Sequence, residues 1–229
     1  MVEAENGADA IDFLTSFTGA VDLVLGIDER AVEGALDLAP VRDRHGYEQY
    51  GYDGVGYHKV GWAYHHLRPT PADVVYDLGC GYGRVLFYGA LATEAGFFRG
   101  IELVEARWRA GCAVRERLGL VNVELVLGNV LDQDLSDGTI FFLLNAFSNA
   151  TLERVAVQLE RVAQRKPIRI VSVNWSNLYL AERAWLREID LGERWADLRG
   201  SYGLRLFASR ETKTAEPEAV GISLAADRD

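Results

Sequence analysis

Apolar residues recur every three or four positions at Ile11, Leu14, Phe17, Val21, Val24 and Leu25, which predicts an amphipathic helix over 9–26 closed by Gly26. Val32, Leu36 and Leu38 extend the pattern as a second short helix before Pro40. From Asp73 the periodicity changes. Short apolar runs at 74–77, 97–102, 123–127, 140–144 and 168–173 alternate with helical repeats at 84–93, 105–118 and 151–164. Strand-like runs that alternate with helices predict a parallel sheet covered on both faces. Two more strands, over 186–195 and 203–208 and joined through Gly200, are expected as an antiparallel pair at one edge. The chain thus divides into a helical segment over 1–40, an aromatic lid and helix over 41–70 and an α/β body over 71–209. The tail over 210–229, rich in Thr, Glu, Pro and Ala, is expected to be flexible.

Composition narrows the class. With 229 residues, 49% apolar and 25% charged, the chain has the make-up of one soluble domain with a short appendage. No run reaches the roughly 18 apolar residues a spanning helix needs, and the acidic N-terminus is unlike a secretory signal. Two cysteines, Cys80 and Cys112, are too few for a disulfide framework or a zinc ribbon, so a reducing cytoplasm is the expected setting. The net charge of −10 is concentrated at the ends: residues 1–40 hold nine acids and one base, whereas residues 41–209 hold twenty of each. A neutral body lacks the Lys and Arg surplus that phosphate neutralisation requires, which argues against a nucleic-acid partner. The acidic N-terminal segment reads as a solvated helix face.

Candidate chemistry concentrates in two places. The window 45–66 holds all four histidines (His45, His58, His65, His66), five of the ten tyrosines, Trp62 and five glycines. Histidine titrates near neutrality, so a general base is sought here: His58 first, then His65 and His45, with Tyr57, beside His58 at a loop-to-helix junction, as a further catalytic candidate. Tyr47, Tyr50 and Tyr52 are candidates for a substrate wall, as are Asn174 and Trp175 just past the fifth strand, where the carboxyl ends of parallel strands form a crevice. His65 and His66 point apart on a helix and no Cys or carboxylate cluster completes a ligand set, so no metal is expected.

The second place is the turn after the first strand, Asp77-Leu78-Gly79-Cys80-Gly81-Tyr82-Gly83-Arg84. Three alternate glycines let a ligand approach bare backbone, and the helix that follows offers unpaired N–H groups. A dinucleotide fingerprint needs Gly or Ala at position 84, where this chain has Arg84. An acid at the strand end instead suits a ligand that carries an ammonium group, with its carboxylate on the turn amides. Gly100-Ile101-Glu102 ends the next strand with another carboxylate, the group that accepts both ribose hydroxyls of a nucleoside.

These residues resemble the first two motifs of the class I S-adenosylmethionine-dependent methyltransferases, whose fold is a Rossmann-like, mostly parallel seven-stranded sheet. Together with Asn145-Ala146-Phe147, they are similar to the non-SET histone-lysine methyltransferase type and its small bacterial relatives, over roughly residues 50–175. The resemblance implies S-adenosyl-L-methionine as cofactor, held by Asp77, Gly79, Gly81, Gly83, Glu102, Asn129, Val130 and Asn145, under an aromatic lid at 52–57. Three departures stand out. Asp53-Gly54-Val55 replaces the prolines and hydroxyl residue of that lid, Gly128-Asn129 replaces Gly-Asp, and Asn145 precedes Ala-Phe where amino-methylating relatives have Pro-Pro.

The expected activity is methyl transfer to a small-molecule acceptor, which a neutral body and a short chain suit better than a nucleosome or tRNA. Two alternatives stay open: acid–base elimination or cyclisation on the same fold, and a non-catalytic subunit that assembles through the N-terminal helix as a homo- or hetero-oligomer.

Overall fold

The computed structural model describes residues 17–45, 51–190 and 203–210. Helix α1 covers 17–25, followed by α2 (Glu29–Gly34), α3 (Ala39–His45) and α4 (Tyr57–Leu67). The α/β body then runs β1 (Val74–Leu78), α5 (Arg84–Ala92), β2 (Phe97–Glu102), α6 (Glu105–Leu118), β3 (Val123–Leu127), a 3-10 turn (Val130–Asp132), β4 (Ile140–Leu143), α7 (Asn149–Ala163) and β5 (Arg169–Ser172). It closes with α8 (Trp175–Ala181), β6 (Leu186–Glu188) and β7 (Arg205–Ser209). No helix among the described residues is long and apolar enough to cross a membrane.

The seven strands form one sheet in the order β3-β2-β1-β4-β5-β7-β6. The first five pair in parallel, and β7 is antiparallel to both β5 and β6. The order reverses beside β1, between β2 and β4, which opens a crevice at the carboxyl ends of the strands where ligands bind in such sheets. Period-two alternation divides the core. Val75, Phe142, Val171 and Leu206 pack under α4, α5 and α6, whereas Tyr76, Phe141, Ile170 and Phe207 pack under α7 and α8. Ile27, from the N-terminal segment, joins the first of these clusters.

The expected α/β class, the mostly parallel seven-stranded sheet and its antiparallel edge pair hold, and the departures are local. The second helix stops at Gly34, and α3 starts beyond it with Asp37 accepting from Ala39 N and Pro40 in the first turn, a position where proline loses nothing. The short helix α8 follows β5 directly, where the sequence pattern had suggested only a pocket wall. β6 ends at Glu188, so the remainder of the strand expected over 186–195, with Gly200 and most of the tail, lies largely or wholly outside the described residues. On α1 the expected apolar residues Phe17, Val21 and Leu25 share the side that faces α4 and α5, but Val24 is 83% exposed, beside Leu23 at 80%, and the buried residue is the acid Asp22.

The sheet approaches the glycine turn closely at Gly100. A Cβ there would meet Cys80 Sγ at 2.6 Å and Leu86 Cδ1 at 2.5 Å, inside packed structure rather than at its edge. Gly100→Ala is therefore expected to destabilise the protein by about 1–3 kcal/mol through overpacking. A urea midpoint unchanged from the parent would refute this packing.

Candidate active site

Asp77 pairs in register with Gly100, and Leu78 with Ile101, so Asp77 and Glu102 cap neighbouring strands at the crevice. Both are buried, at 3% and 5% exposure. Between them the chain turns through Gly79, Gly81 and Gly83 at φ 85°, 55° and 86°, values that L side chains rarely adopt. Glu102 shapes this turn: Oε2 accepts from Gly81 N and Oε1 from Val104 N, each at 2.8 Å. Each oxygen keeps a lone pair, and Glu102 still faces the cavity. Burial pushes its pKa up, with backbone donors and Arg107 pulling the other way.

Asp77 has no donor within reach among the described residues. Burial, and then the charge of Glu102, raise its pKa to about 8. A neutral acid at the tip of a central strand, beside a second carboxylate, is a site that a ligand cation would ionise.

Two cavities meet here. The first, of about 290 Å3, is lined among others by Gly79, Gly81, Glu102, Asn129, Val130 and Phe147. The second, of about 680 Å3, lies across the lid and is lined among others by Thr18, His58, Lys59, Arg84, Val173 and Asn174. Tyr52, Asp53 and Asn145 line both and form the passage between them. In that passage Asn174 Nδ2 donates to Asn145 Oδ1 at 2.6 Å, and Asn145 Nδ2 donates to Asp53 Oδ2 at 2.8 Å. Asn145 and Asn174 sit at φ 58° and 55° just past β4 and β5. Such backbone strain, of order 1–3 kcal/mol per residue, persists where surrounding contacts hold it and clusters at functional sites.

The lid is held from the N-terminal segment. The Tyr52 ring covers Gly81, with the Arg84 and Arg107 guanidinium carbons 5.3 and 5.4 Å from its centroid and the Tyr82 ring edge-on at 4.8 Å. Arg84 is bound by Asp22 through two hydrogen bonds, and by Glu29 at 2.7 Å. Arg107 forms a two-pronged pair with Glu33 at 2.7 and 2.8 Å, and Tyr82 OH donates to the same carboxylate at 2.8 Å. Burial alone would raise the pKa of Glu33, but the bonds from Arg107 and Tyr82 outweigh it and lower it. Among the described acids of this segment, Asp28 and Asp37 are exposed, as a solvated face requires, but three others are not free. Its acids Asp22, Glu29 and Glu33 turn inward onto two arginines that are 6% and 5% exposed.

The structure sorts the other candidates. His58 lines the second cavity; burial, then Lys59, lower its pKa, and its buried Nδ1 has no hydrogen-bond partner. Tyr57 is not placed for catalysis, because it is 4% exposed and its hydroxyl is spent on Asp22 Oδ1 at 2.9 Å. His65 lies on the exposed side of α4, away from both cavities. The His45 side chain, Tyr47 and Tyr50 fall outside the described residues. Asn129 lines the first cavity, but its Oδ1 already accepts from Leu131 N at 3.0 Å, which caps the 3-10 turn. Gly83 packs against Phe87 and Leu125 instead of lining the cavity. Trp175 is 65% exposed and outside both cavities.

Arg107 and Asp53 were not singled out from the sequence. Arg107 is one helical residue among several arginines, and only its burial reveals it. Asp53 was visible as a departure in the lid, without a partner to give it a role.

No protein-family model matches the chain. Over 75 residues, 31% of its length, the chain is 36% identical to a protein-lysine N-methyltransferase from Saccharolobus islandicus, and the match spans about half of that relative (47%). An RNA methyltransferase from Salinibacter ruber, solved with S-adenosyl-L-homocysteine, superposes with a TM-score of 0.53 at 19% identity, covering 72% of this chain and 98% of its own. Geranyl diphosphate C-methyltransferase from Streptomyces coelicolor A3(2), solved with the same ligand, Mg2+ and geranyl diphosphate, gives 0.51 at 15% identity, covering 67% and 78%. The fold is that of the class I S-adenosylmethionine-dependent methyltransferases.

Asp22 and Arg84 are each only 7% exposed at the side chain, so removing the acid leaves a buried cation held by the part-exposed Glu29 alone and the Tyr57 hydroxyl without its acceptor. Asp22→Ala is expected to cost about 3–5 kcal/mol, whereas Leu23→Ala, on the exposed side of the same helix, should stay within about 0.5 kcal/mol. Equal losses in denaturant unfolding would show that the clamp does not bear on stability.

Proposed function

We propose that the protein is an S-adenosylmethionine-dependent methyltransferase whose acceptor is a small molecule held in the second cavity. One observation carries the reading: two neighbouring strand tips, Asp77 and Glu102, hold buried carboxyls beside one glycine turn, Glu102 lining the first cavity and Asp77 a small adjoining pocket of about 30 Å3 beneath Tyr52. The residues fit this cofactor. Asp77 is the partner an α-ammonium lacks elsewhere in the site, the turn amides suit an α-carboxylate, and the free lone pairs of Glu102 suit ribose hydroxyls. Asn129 and Val130 flank the position of a base. When bound, the cofactor supplies an activated methyl group on a sulfonium, so the protein has to align a nucleophile and exclude water.

Tyr52 roofs the first cavity, and the Asp53–Asn145–Asn174 chain frames the passage through which an acceptor atom meets the methyl group. His58, whose ring lines the acceptor cavity and whose pKa is lowered by burial and by Lys59, serves as a base for the departing proton. The likeness to a lysine methyltransferase favours a second reading, in which a lysine side chain enters the same passage. Mass spectrometry of molecules that co-purify with the protein, set beside methylation of a bulk protein substrate, separates the two.

In calorimetry the protein is expected to bind both S-adenosylmethionine and S-adenosylhomocysteine, with about tenfold or greater loss in Asp77→Ala and Glu102→Ala, the cost of a lost charged hydrogen bond. A native protein that bound neither would end the proposal.

A pH dependence follows from Asp77. The unliganded fold holds its proton up to about pH 8, whereas a free Asp loses it near 3.8. The folded state binds the extra proton between these values, so Asp77 lowers stability as pH rises through that window. Ligand ammonium needs the ionised form, so affinity is expected to fall by up to about tenfold per unit as pH drops below 8. Asp77→Asn should flatten both trends, unfolding at a higher temperature than the parent at pH 8–9 while binding cofactor poorly. Parallel pH profiles in the two proteins would remove Asp77 from this role.

A further inference from the structure

The end of the sheet opposite the glycine turn holds a cavity of about 660 Å3 whose lining includes Asp73, Thr139, Arg169, Arg187, Ala208 and Arg210. Strand register brings its cations together. Arg169 of β5 pairs with Ala208 of β7, and Ala208 pairs with Arg187 of β6, so the three form one lateral row. Neighbouring strands lie about 4.8 Å apart, which places the two arginines roughly 10 Å apart with an alanine floor between them. Arg210, two residues beyond Ala208, returns toward the same face, and its N–H donates to Trp185 O at 2.8 Å.

The groups in this cradle are unevenly satisfied. Arg169 is committed to the fold, through Asp73 Oδ1 at 2.7 Å and Leu67 O at 2.5 Å, and Asp73 cancels its charge. Thr139 OH donates to Asp73, and Ser209 Oγ accepts from Ile168 N. Asp73 also accepts from Thr70 N and Thr70 OH. Arg210 spends only Nε, on Leu186 O at 3.0 Å. Arg187 has no side-chain partner among the described residues. Among the described residues, two guanidinium groups therefore face the cavity uncompensated, in a chain of net charge −10.

We propose that this cradle is a binding site for a phosphomonoester or similar oxyanion, separate from the methyl-transfer crevice. Two guanidinium charges match a phosphate dianion, and their planar N–H forks match tetrahedral oxygens better than ammonium groups do. The site is remote from the crevice, because Asp77 lies four positions beyond Asp73 and Asn174 five positions beyond Arg169, roughly 15 Å of strand. It does not depend on the methyltransferase reading.

Titration of the full chain with inorganic phosphate and with pyrophosphate at low ionic strength tests it. Saturable binding with a Kd below about 1 mM is expected, the range of a few charged hydrogen bonds. Arg187→Ala and Arg210→Ala should each weaken it by about fivefold or more, and Arg187→Lys should recover only part of the loss. Both side chains are on the surface, so thermal unfolding of the variants should match the parent and S-adenosylhomocysteine binding should be unchanged. Absence of saturation, equal binding by the variants, or the same response to chloride at equal ionic strength overturns the proposal. A single-stranded RNA that binds with a steep salt dependence while phosphate does not bind also overturns it, in favour of an extended polyanion surface.

Discussion

Two carboxyl groups buried side by side without a cation between them are costly, and this one arrangement organises the crevice. Parallel pairing of β1 and β2 fixes Asp77 next to Glu102, so burial and the Glu102 charge together resist ionisation of Asp77. Arginines are near enough to relieve the strain. Arg84 follows the glycine turn and Arg107 lies one turn into α6, yet both are held by carboxylates of the N-terminal segment. The acids of α1 and α2 thus keep two cations away from Asp77, and that leaves the strand tip ready for a cation from outside.

The same clamp sets the lid. Tyr52 lies against both guanidinium groups and above Gly81, a stacking whose geometry depends on the arginines staying in place. The N-terminal helices are therefore part of the crevice's construction, joined to the sheet by Ile27 in its core and by ion pairs at its rim. The strained asparagines at the ends of β4 and β5 serve a comparable end. Their mutual hydrogen bond, extended to Asp53, ties the lid to the strand ends.

Much of this was legible in the chain. The strand–helix alternation gave the parallel sheet because buried strands must read as short apolar runs. β2, β3 and α6 fall at the residues their patterns predicted. The Asp77–Gly83 turn and Glu102 were readable because few residue types satisfy positive φ, close approach and a strand-end charge together. His58 was readable only as a titratable group in an aromatic window, which also brought in His65 and Tyr57. Their separation came from which side of α4 faces the crevice, and an eleven-residue helix with apolar residues almost all round does not announce its buried side.

What the sequence determined by itself was the set of short-range choices: glycines where the backbone must turn left-handed, carboxyls at strand ends and the periods of the elements. The tertiary structure alone decided the long-range charge pairings. Asp22 and Arg84 are 62 residues apart, and Glu33 and Arg107 are 74 apart. An acidic residue on a short helix looks the same whether it meets water or a buried guanidinium, because its partner is chosen by the packing of distant elements and leaves no local pattern. The basic cradle at the other end of the sheet has the same origin, since Arg169, Arg187 and Arg210 become neighbours only through the antiparallel register of β5, β7 and β6.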